Sequence, residues 1–182
     1  MRIRSALAGA AFTLLVAQAA GASTVMVGGE AMYPNKTIVQ NAVNSADHTT
    51  LVAAVKAAGL VDALGGAGPF TVFAPVNSAF AELPAGTVDT LLKPENKDTL
   101  VAVLTYHVVL GNYDASALMQ MIEANGGMAK LTTLQGETLT AKMNGPMNIV
   151  VEDAKGNTAD IVTYDVTQSN GVIHVIDKVL MP

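Results

Sequence analysis

The chain reads as α+β, with helices first and an antiparallel meander of strands second. Three observations carry this. From Asn35 to Asn125 the apolar residues recur at steps of three and four, the period of a helix face. After Ala129 the period falls to two, the pleat of a half-buried strand. Gln135-Gly136, Asn144-Gly145 and Lys155-Gly156-Asn157 separate the later segments. Asn-Gly is a strong hairpin signal, because both turn positions need φ > 0. Helices followed by strands, rather than alternating with them, argue against a repeated βαβ unit.

Each element has its own local reason. Val25 to Pro34 is a Gly-containing lead-in without clear periodicity. Thr37, Ile38, Val39, Ala42 and Val43 begin the helical part. Asp47 is placed as an N-cap for Leu51, Val52, Val55 and Ala58, and Gly59 as the C-terminal stop. Leu60 to Leu64 is a second short apolar turn, closed by Gly65-Gly66-Ala67-Gly68-Pro69. Phe70 to Ala74 is a brief strand. Asn77 or Ser78 caps a short helix over Phe80, and Thr87 to Leu92 adds a turn. Pro94-Glu95 opens a longer helix carrying Leu100, Val103, Leu104, His107 and Val108, ended by Gly111. Asp114 or Ser116 caps a helix with Leu118, Met119 and Ile122. Strands are expected at Leu131 to Leu134, Thr138 to Met143, Asn148 to Val151, Ala159 to Tyr164 and Gly171 to Leu180.

Composition bounds the function. A length of 182 residues fits one domain, and 51% apolar against 14% charged residues excludes a disordered chain. There are no cysteines, so disulfides, thiolate metal sites and cysteine nucleophiles are excluded. Ten basic and 15 acidic residues give a formal charge of −5. That leaves no excess cation to displace counterions from phosphate, so no nucleic acid is expected as partner.

Residues 1–22 have the order of a secretory signal peptide: a basic start at Arg2 and Arg4, an uncharged apolar centre, then small residues. Cleavage is expected after Ala22 or after Ala19. The mature chain then carries 8 basic and 15 acidic residues, a formal charge of −7. No later stretch approaches the length of a transmembrane helix. The mature protein is therefore expected without a transmembrane segment, exported to the periplasm or beyond the cell.

The search for chemistry returns ordinary structural readings. The Gly65–Pro69 run lacks the Lys-Ser/Thr of a phosphate loop and leads into a strand. His48, His107 and His174 lie 59 and 67 residues apart, matching no local metal spacing. His48 is expected in an exposed first turn; His107 and His174 read as core histidines. No serine sits in a Gly-x-Ser-x-Gly elbow. Glu152, Asp153, Asp160 and Asp165 read as a solvated strand edge. No cofactor and no catalytic or metal-binding residue is expected. Met119 and Met121, with Ile122, read first as core filling and secondly as the wall of an apolar groove.

Three blocks carry a resemblance. Thr71-Val72-Phe73-Ala74-Pro75-Val76-Asn77-Ser78-Ala79-Phe80, then Tyr106-His107, then Asn170-Gly171-Val172-Ile173-His174-Val175-Ile176-Asp177 occur in order, closed by Val179-Leu180-Met181-Pro182. This set resembles the fasciclin domain family. The resemblance covers residues 35–182, with 23–34 as the lead-in, and looks most like small secreted bacterial members. It implies a wedge with a seven-stranded, antiparallel-rich β-sandwich core and short helices packed on one side. Thr71, Phe73, Pro75, Asn77, Phe80, His107, Asn170, Gly171, His174 and Asp177 are the motif positions. His107 is implied to hydrogen-bond toward the first block near Asn77.

The resemblance also implies a non-catalytic role in adhesion, with a cell-surface or matrix protein or polymer as partner. Tyr106, Asp165 and Val166 mark the implied contact face. The alternative is a carrier of an apolar small molecule, carotenoid-like or lipid, in a groove near Met119, Met121 and Ile122.

Overall fold

The computed structural model describes residues 24–182. The signal-peptide reading of residues 1–22 lies outside them. In chain order the elements are β1 (Val25–Val27), β2 (Glu30–Met32), α1 (Ile38–Ala42), α2 (Thr49–Ala58), α3 (Val61–Gly65), β3 (Phe70–Pro75), α4 (Asn77–Ala81), α5 (Thr87–Leu91) and α6 (Lys97–Tyr106). Then follow β4 (Val108–Leu110), α7 (Ala115–Ala124), β5 (Met128–Thr132), β6 (Thr138–Met143), β7 (Ile149–Glu152), β8 (Thr158–Gln168) and β9 (Gly171–Ile176). Short 3-10 turns at Ala46–His48 and Pro94–Asn96 lead into α2 and α6.

The seven main strands run in the order β4-β3-β9-β8-β7-β6-β5. All neighbours are antiparallel except β3 and β9, which pair in parallel from Phe70↔Gly171 to Pro75↔Ile176. The sheet curls until its ends meet: Val109 bridges Thr133, and Leu134 N–H donates to the Val108 carbonyl at 2.7 Å. β8 takes up the curvature through register shifts between Ile161 and Val166, as bulges do in strongly bent strands. A sheet whose ends meet exposes little free edge for strand addition.

Alternation along β3 divides the core. Phe73 joins Tyr106, Leu118, Ile122, Leu139, Ile149 and Leu180 on one side. Val72 and Ala74 face the other side with Ile38, Leu64, Val108 and Ile173. α1 and α3 cover this second side, and α2 bridges it to α6 through Leu51 and Val55. α7 lies on the other side, which Tyr106 at the end of α6 also enters. Leu118 and Ile122 of α7 fill the Phe73 side.

Four readings of the sequence change. The lead-in is a β1–β2 hairpin whose Val27 and Met32 are buried against Val72 and Ile173. The helix through Leu104 stops at Tyr106, and Val108 opens β4. The apolar steps run on past the helix end because Val108 and Val109 enter two different cores. The final strand stops at Ile176, so Val179 and Leu180 form an extended tail. Asp47 is not the cap of α2. That work falls to Asn77, whose Oδ1 accepts from Thr50 N–H at 3.0 Å and Thr49 Oγ1 at 3.2 Å.

Asn170 ties the outer layer to the sheet. Its Oδ1 accepts from Ile38 N–H at 3.0 Å, and its Nδ2 donates to the carbonyls of Leu64 and Gly66 at 2.9 and 2.8 Å. The next residue must be glycine, because a Cβ on Gly171 would run into the Phe70 carbonyl. Asn41 adds a second tie through Gln168 Oε1. Replacing Asn170 by Ala strands one buried donor and removes the donor to two carbonyls. A loss of about 2–3 kcal/mol is expected. Urea unfolding checks this, and an unshifted midpoint would refute it.

Candidate functional site

The motif residues meet at the end of α6, and His107 is the joint. It is the C-terminal cap of that helix and is 3% exposed. Its Nδ1 lies 2.8 Å from the Val103 carbonyl, and its Nε2 accepts from Leu180 N–H at 3.0 Å. A carbonyl can only accept, so Nδ1 carries the proton and the ring is neutral. The His107 carbonyl accepts from Phe73 N–H at 2.9 Å. The side chain therefore reaches the closing tail, not Asn77, and only the backbone reaches the first block. Asn77 instead serves α2 and donates to the Ala46 carbonyl at 2.8 Å.

Asp153 holds the same tail from the other side. It is 4% exposed, which corrects its reading as a solvated edge. Its oxygens accept from the backbone N–H groups of Lys155, Asn157 and Met181 and from Asn157 Nδ2, at 2.9–3.3 Å. Burial pushes the carboxyl up, but these hydrogen bonds outweigh it and hold the group below its ordinary range. The other carboxylates are also occupied. Glu152 pairs with Lys142 at 2.7 Å, and Asp160 accepts from Asn148 at 2.7 Å. Among the described residues no cluster of His, Asp or Glu is arranged to hold a metal ion.

His174 is the second joint. It stacks on Phe73 with ring centroids 5.8 Å apart and meets Tyr164 edge-on at 6.1 Å. Its Nε2 lies 2.8 Å from the Tyr113 carbonyl, and Asp165 N–H points to Nδ1 at 3.4 Å. Thr71 completes this corner. Its hydroxyl donates to the Gly111 carbonyl and accepts from Tyr113 N–H. Asp177 Oδ1 accepts from Asp160 N–H at 2.8 Å. Pro75 ends β3, and Phe80 packs with Ala79, Val103 and Val179.

The residues marked for partner contact separate sharply. Tyr106 is fully buried; its Oη accepts from Ala154 N–H at 3.0 Å and lies 3.4 Å from the Thr138 carbonyl. Val166 is 1% exposed, inside the second core. Neither side chain reaches solvent, because β8 alternation turns Val166 inward. Asp165 is exposed, with φ at 54°. Its Oδ1 accepts from Ala115 N–H at 2.7 Å, so it caps α7 from outside while Asp114 caps it from within through Ala117 N–H. Met119 and Met121 pack half-buried against the first core, and Ile122 is wholly inside it. The apolar space lies elsewhere, between α1, α2 and β3.

His48 departs from its expected place in an exposed first turn. It is 3% exposed. Its Nδ1 lies 2.9 Å from Ser45 Oγ, and the Ala74 carbonyl sits beside the ring. The signal that could have found it is Leu51 three residues later, which continues its apolar face.

Two consequences can be measured. Burial pushes His107 down to about 4 and also lowers His48 and His174, although the carbonyls beside them favour the proton. Below about pH 6.5 the unfolded chain takes up protons that the native state refuses, so stability falls as pH falls. Each histidine contributes up to about 1.4 kcal/mol per pH unit, and the His107 part runs from about pH 6.5 to about pH 4. Below this, Asp153 protonation costs further stability. Urea midpoints between pH 7 and pH 4.5 should drop steadily; a flat profile would refute the buried neutral histidines. Separately, His107→Ala unpairs Leu180 N–H and the Val103 carbonyl. It is expected to cost about 1–3 kcal/mol, read from thermal melting at pH 7.

The family model for the fasciclin domain matches residues 46–182. A Synechocystis protein, Protein sll1483, is 51% identical over 146 residues, covering 80% of this chain and 73% of its own length. The cell surface glycolipoprotein MPB83 of Mycobacterium bovis is 40% identical over 123 residues, covering 68% of this chain and 48% of its own. Among solved structures, a FAS1 domain pair from the insect cell adhesion molecule Fasciclin I superposes with a TM-score of 0.73 at 18% identity. That match covers 82% of this chain and 52% of the other. The chain thus spans about half the length of the latter two proteins. The three motif blocks, the curled seven-stranded sheet and the family match agree: this chain belongs to the fasciclin domain family.

Proposed function

We propose that this chain is a non-catalytic, exported protein that works by surface contact with a cell-surface or matrix protein or polymer. The observation that supports this best is where the motif residues go. Thr71, Asn77, His107, Asn170, His174 and Asp177 all spend their polar atoms on the chain itself. His107 and His174 have both ring nitrogens engaged. Among the described residues, no nucleophile, base and oxyanion donor converge on a common point. Function then falls to the outer surface. Family membership agrees, since one relative is named as a cell surface protein and the matching structure comes from a cell adhesion molecule. No helix among the described residues is long and apolar enough to cross a membrane.

The contact face we assign is the outward side of β8 beside the start of α7. Asp165 and Thr167 are exposed there, Asp114 is exposed at the α7 cap, and Val162 is 56% exposed. Exposed β-branched and carboxylate groups on a rigid strand can make short-range, directional contacts. An acidic chain gains nothing from general attraction to anionic membranes.

Asp165→Asn keeps an oxygen for Ala115 N–H and removes only the charge. Val162→Asp places a charge on the apolar part of the face. Attachment of the labelled protein to cells of its source and to an immobilised matrix preparation is the measurement. Binding is expected to weaken about fivefold or more in each variant, with melting unchanged. Full retention in both would reject this face.

A further inference from the structure

Asn-Gly occurs three times in the chain, at Asn125-Gly126, Asn144-Gly145 and Asn170-Gly171. The pair carries its own chemistry. Glycine has no Cβ beside its nitrogen, so that nitrogen can approach the amide carbon of the asparagine before it. Closing this contact makes a five-membered ring. All three pairs share the chemistry, but the fold surrounds each differently.

Asn170-Gly171 is locked. Asn170 is 8% exposed, and its amide makes three hydrogen bonds. Gly171 opens β9 and lies close against the Phe70 carbonyl. Neither group can turn toward the other while β3 and β9 are paired. Asn125-Gly126 is exposed but held. Asn125 Nδ2 donates to the Met121 carbonyl at 2.7 Å. The nitrogen that would attack is also engaged, since Gly126 N–H donates to the Glu123 carbonyl at 3.3 Å. Ring closure there gives up both bonds.

Asn144-Gly145 is neither locked nor held. Both residues are exposed in the loop between β6 and β7. The Asn144 N–H donates to the Asn148 carbonyl at 2.7 Å. The Asn144 side-chain amide and the Gly145 N–H make no hydrogen bond among the described residues. Space beside Gly145 is open: a Cβ there would meet nothing within 4 Å. Pro146 has no N–H with which to tie the loop. Below the tip the hairpin is secure. Met143 pairs with Ile149, and Asn148 is bound to Tyr164 Oη at 2.9 Å and Asp160 at 2.7 Å. The tip can therefore rearrange while the strands stay in register.

We propose that Asn144 is a self-modification site, where the chain converts its own side-chain amide to a carboxylate with water as the only co-reactant. The Gly145 nitrogen loses its proton to solvent base and attacks Asn144 Cγ. A bond forms between that nitrogen and Cγ. The bond from Cγ to Nδ2 breaks, and Nδ2 takes up a proton and leaves as ammonia. Water then opens the succinimide at one of its two carbonyls. Opening at Cγ gives aspartate; opening at the main-chain carbonyl gives isoaspartate, with one more methylene in the backbone. In sum, amide and water give acid and ammonia, and nothing is oxidised or reduced. The loop gains one negative charge. The extra methylene is accommodated because it falls outside the last paired residues, Met143 and Ile149. The site does not depend on the contact face assigned to β8.

The test incubates the folded exported protein at pH 7.5 and 37 °C beside a guanidinium-unfolded sample. Peptide mapping by mass spectrometry follows each Asn-Gly pair, and enzymatic methylation detects isoaspartate. Unfolded, the three pairs are expected to convert at similar rates. Folded, Asn144 is expected to convert about tenfold or more faster than Asn125, which first gives up two hydrogen bonds. Asn170 should stay intact. Isoaspartate should appear among the products, and conversion should speed up as pH rises. Asn144→Gln is expected to remove the signal with melting unchanged, because the longer side chain must close a larger ring. Folded Asn144 converting no faster than Asn125, or staying as intact as Asn170, would overturn the site. Aspartate without isoaspartate would overturn the ring route. The wild-type time course decides both points without any variant.

Discussion

The fold depends on keeping one imidazole neutral and doubly bonded inside the protein. His107 ends α6, and its two nitrogens join Val103 of that helix to Leu180 of the tail. Its carbonyl takes the Phe73 N–H from the sheet centre. One residue thus fixes helix, sheet and tail together, which a hydrophobic contact could not do, because apolar burial has no direction. Asp153 works in parallel from the β7–β8 turn by holding Met181 N–H. Its negative charge favours a proton on His107, yet burial outweighs it and the ring stays neutral. The arrangement is strong near neutral pH and weakens in acid for the same reason.

A second constraint is the close parallel pairing of β3 and β9. The chain returns to β3 by a long route, and the return works only because Gly171 admits the Phe70 carbonyl at short range. Asn170 then fastens α1 and α3 over the joined strands. The three blocks thereby have a structural role that needs no ligand. They are the parts that must fit when distant segments close one sheet. Function is free to sit on surfaces that these blocks do not touch.

How much of this was legible in the sequence depended on whether a local rule decided the matter. β6, from Thr138 to Met143, was readable residue by residue, because period two and flanking glycines agreed. Gly59 as the stop of α2 was equally plain, and its φ of 74° shows why. β4 was not legible, since Leu104, His107 and Val108 continue a helical spacing past the point where the chain turns. The hairpin of β1 and β2 is three residues on each side, too short for a period to show. The family positions were legible, but not what they face. Tyr106 and Val166 look like surface candidates by motif and are buried by topology. Asp165 kept its exposure and proved to hold α7 as well. His48 was misread because its burial comes from residues far along the chain, Val72 and Val166 among those lining the same cavity.

The two sides of β3 are held by different forces. The Phe73 side is filled by large side chains, with Tyr106, Leu118 and Ile176 wholly buried. On the other side α1 is only five residues long, and polar ties do much of its fastening. Thr37 and Gln40 form a capping box, Asn170 takes Ile38 N–H, and Asn41 holds Gln168 and the Tyr33 backbone. Such ties fix the helix in position without filling the space beneath it. Free volume therefore collects beneath α1 and α2, against Val72, Phe73 and His107.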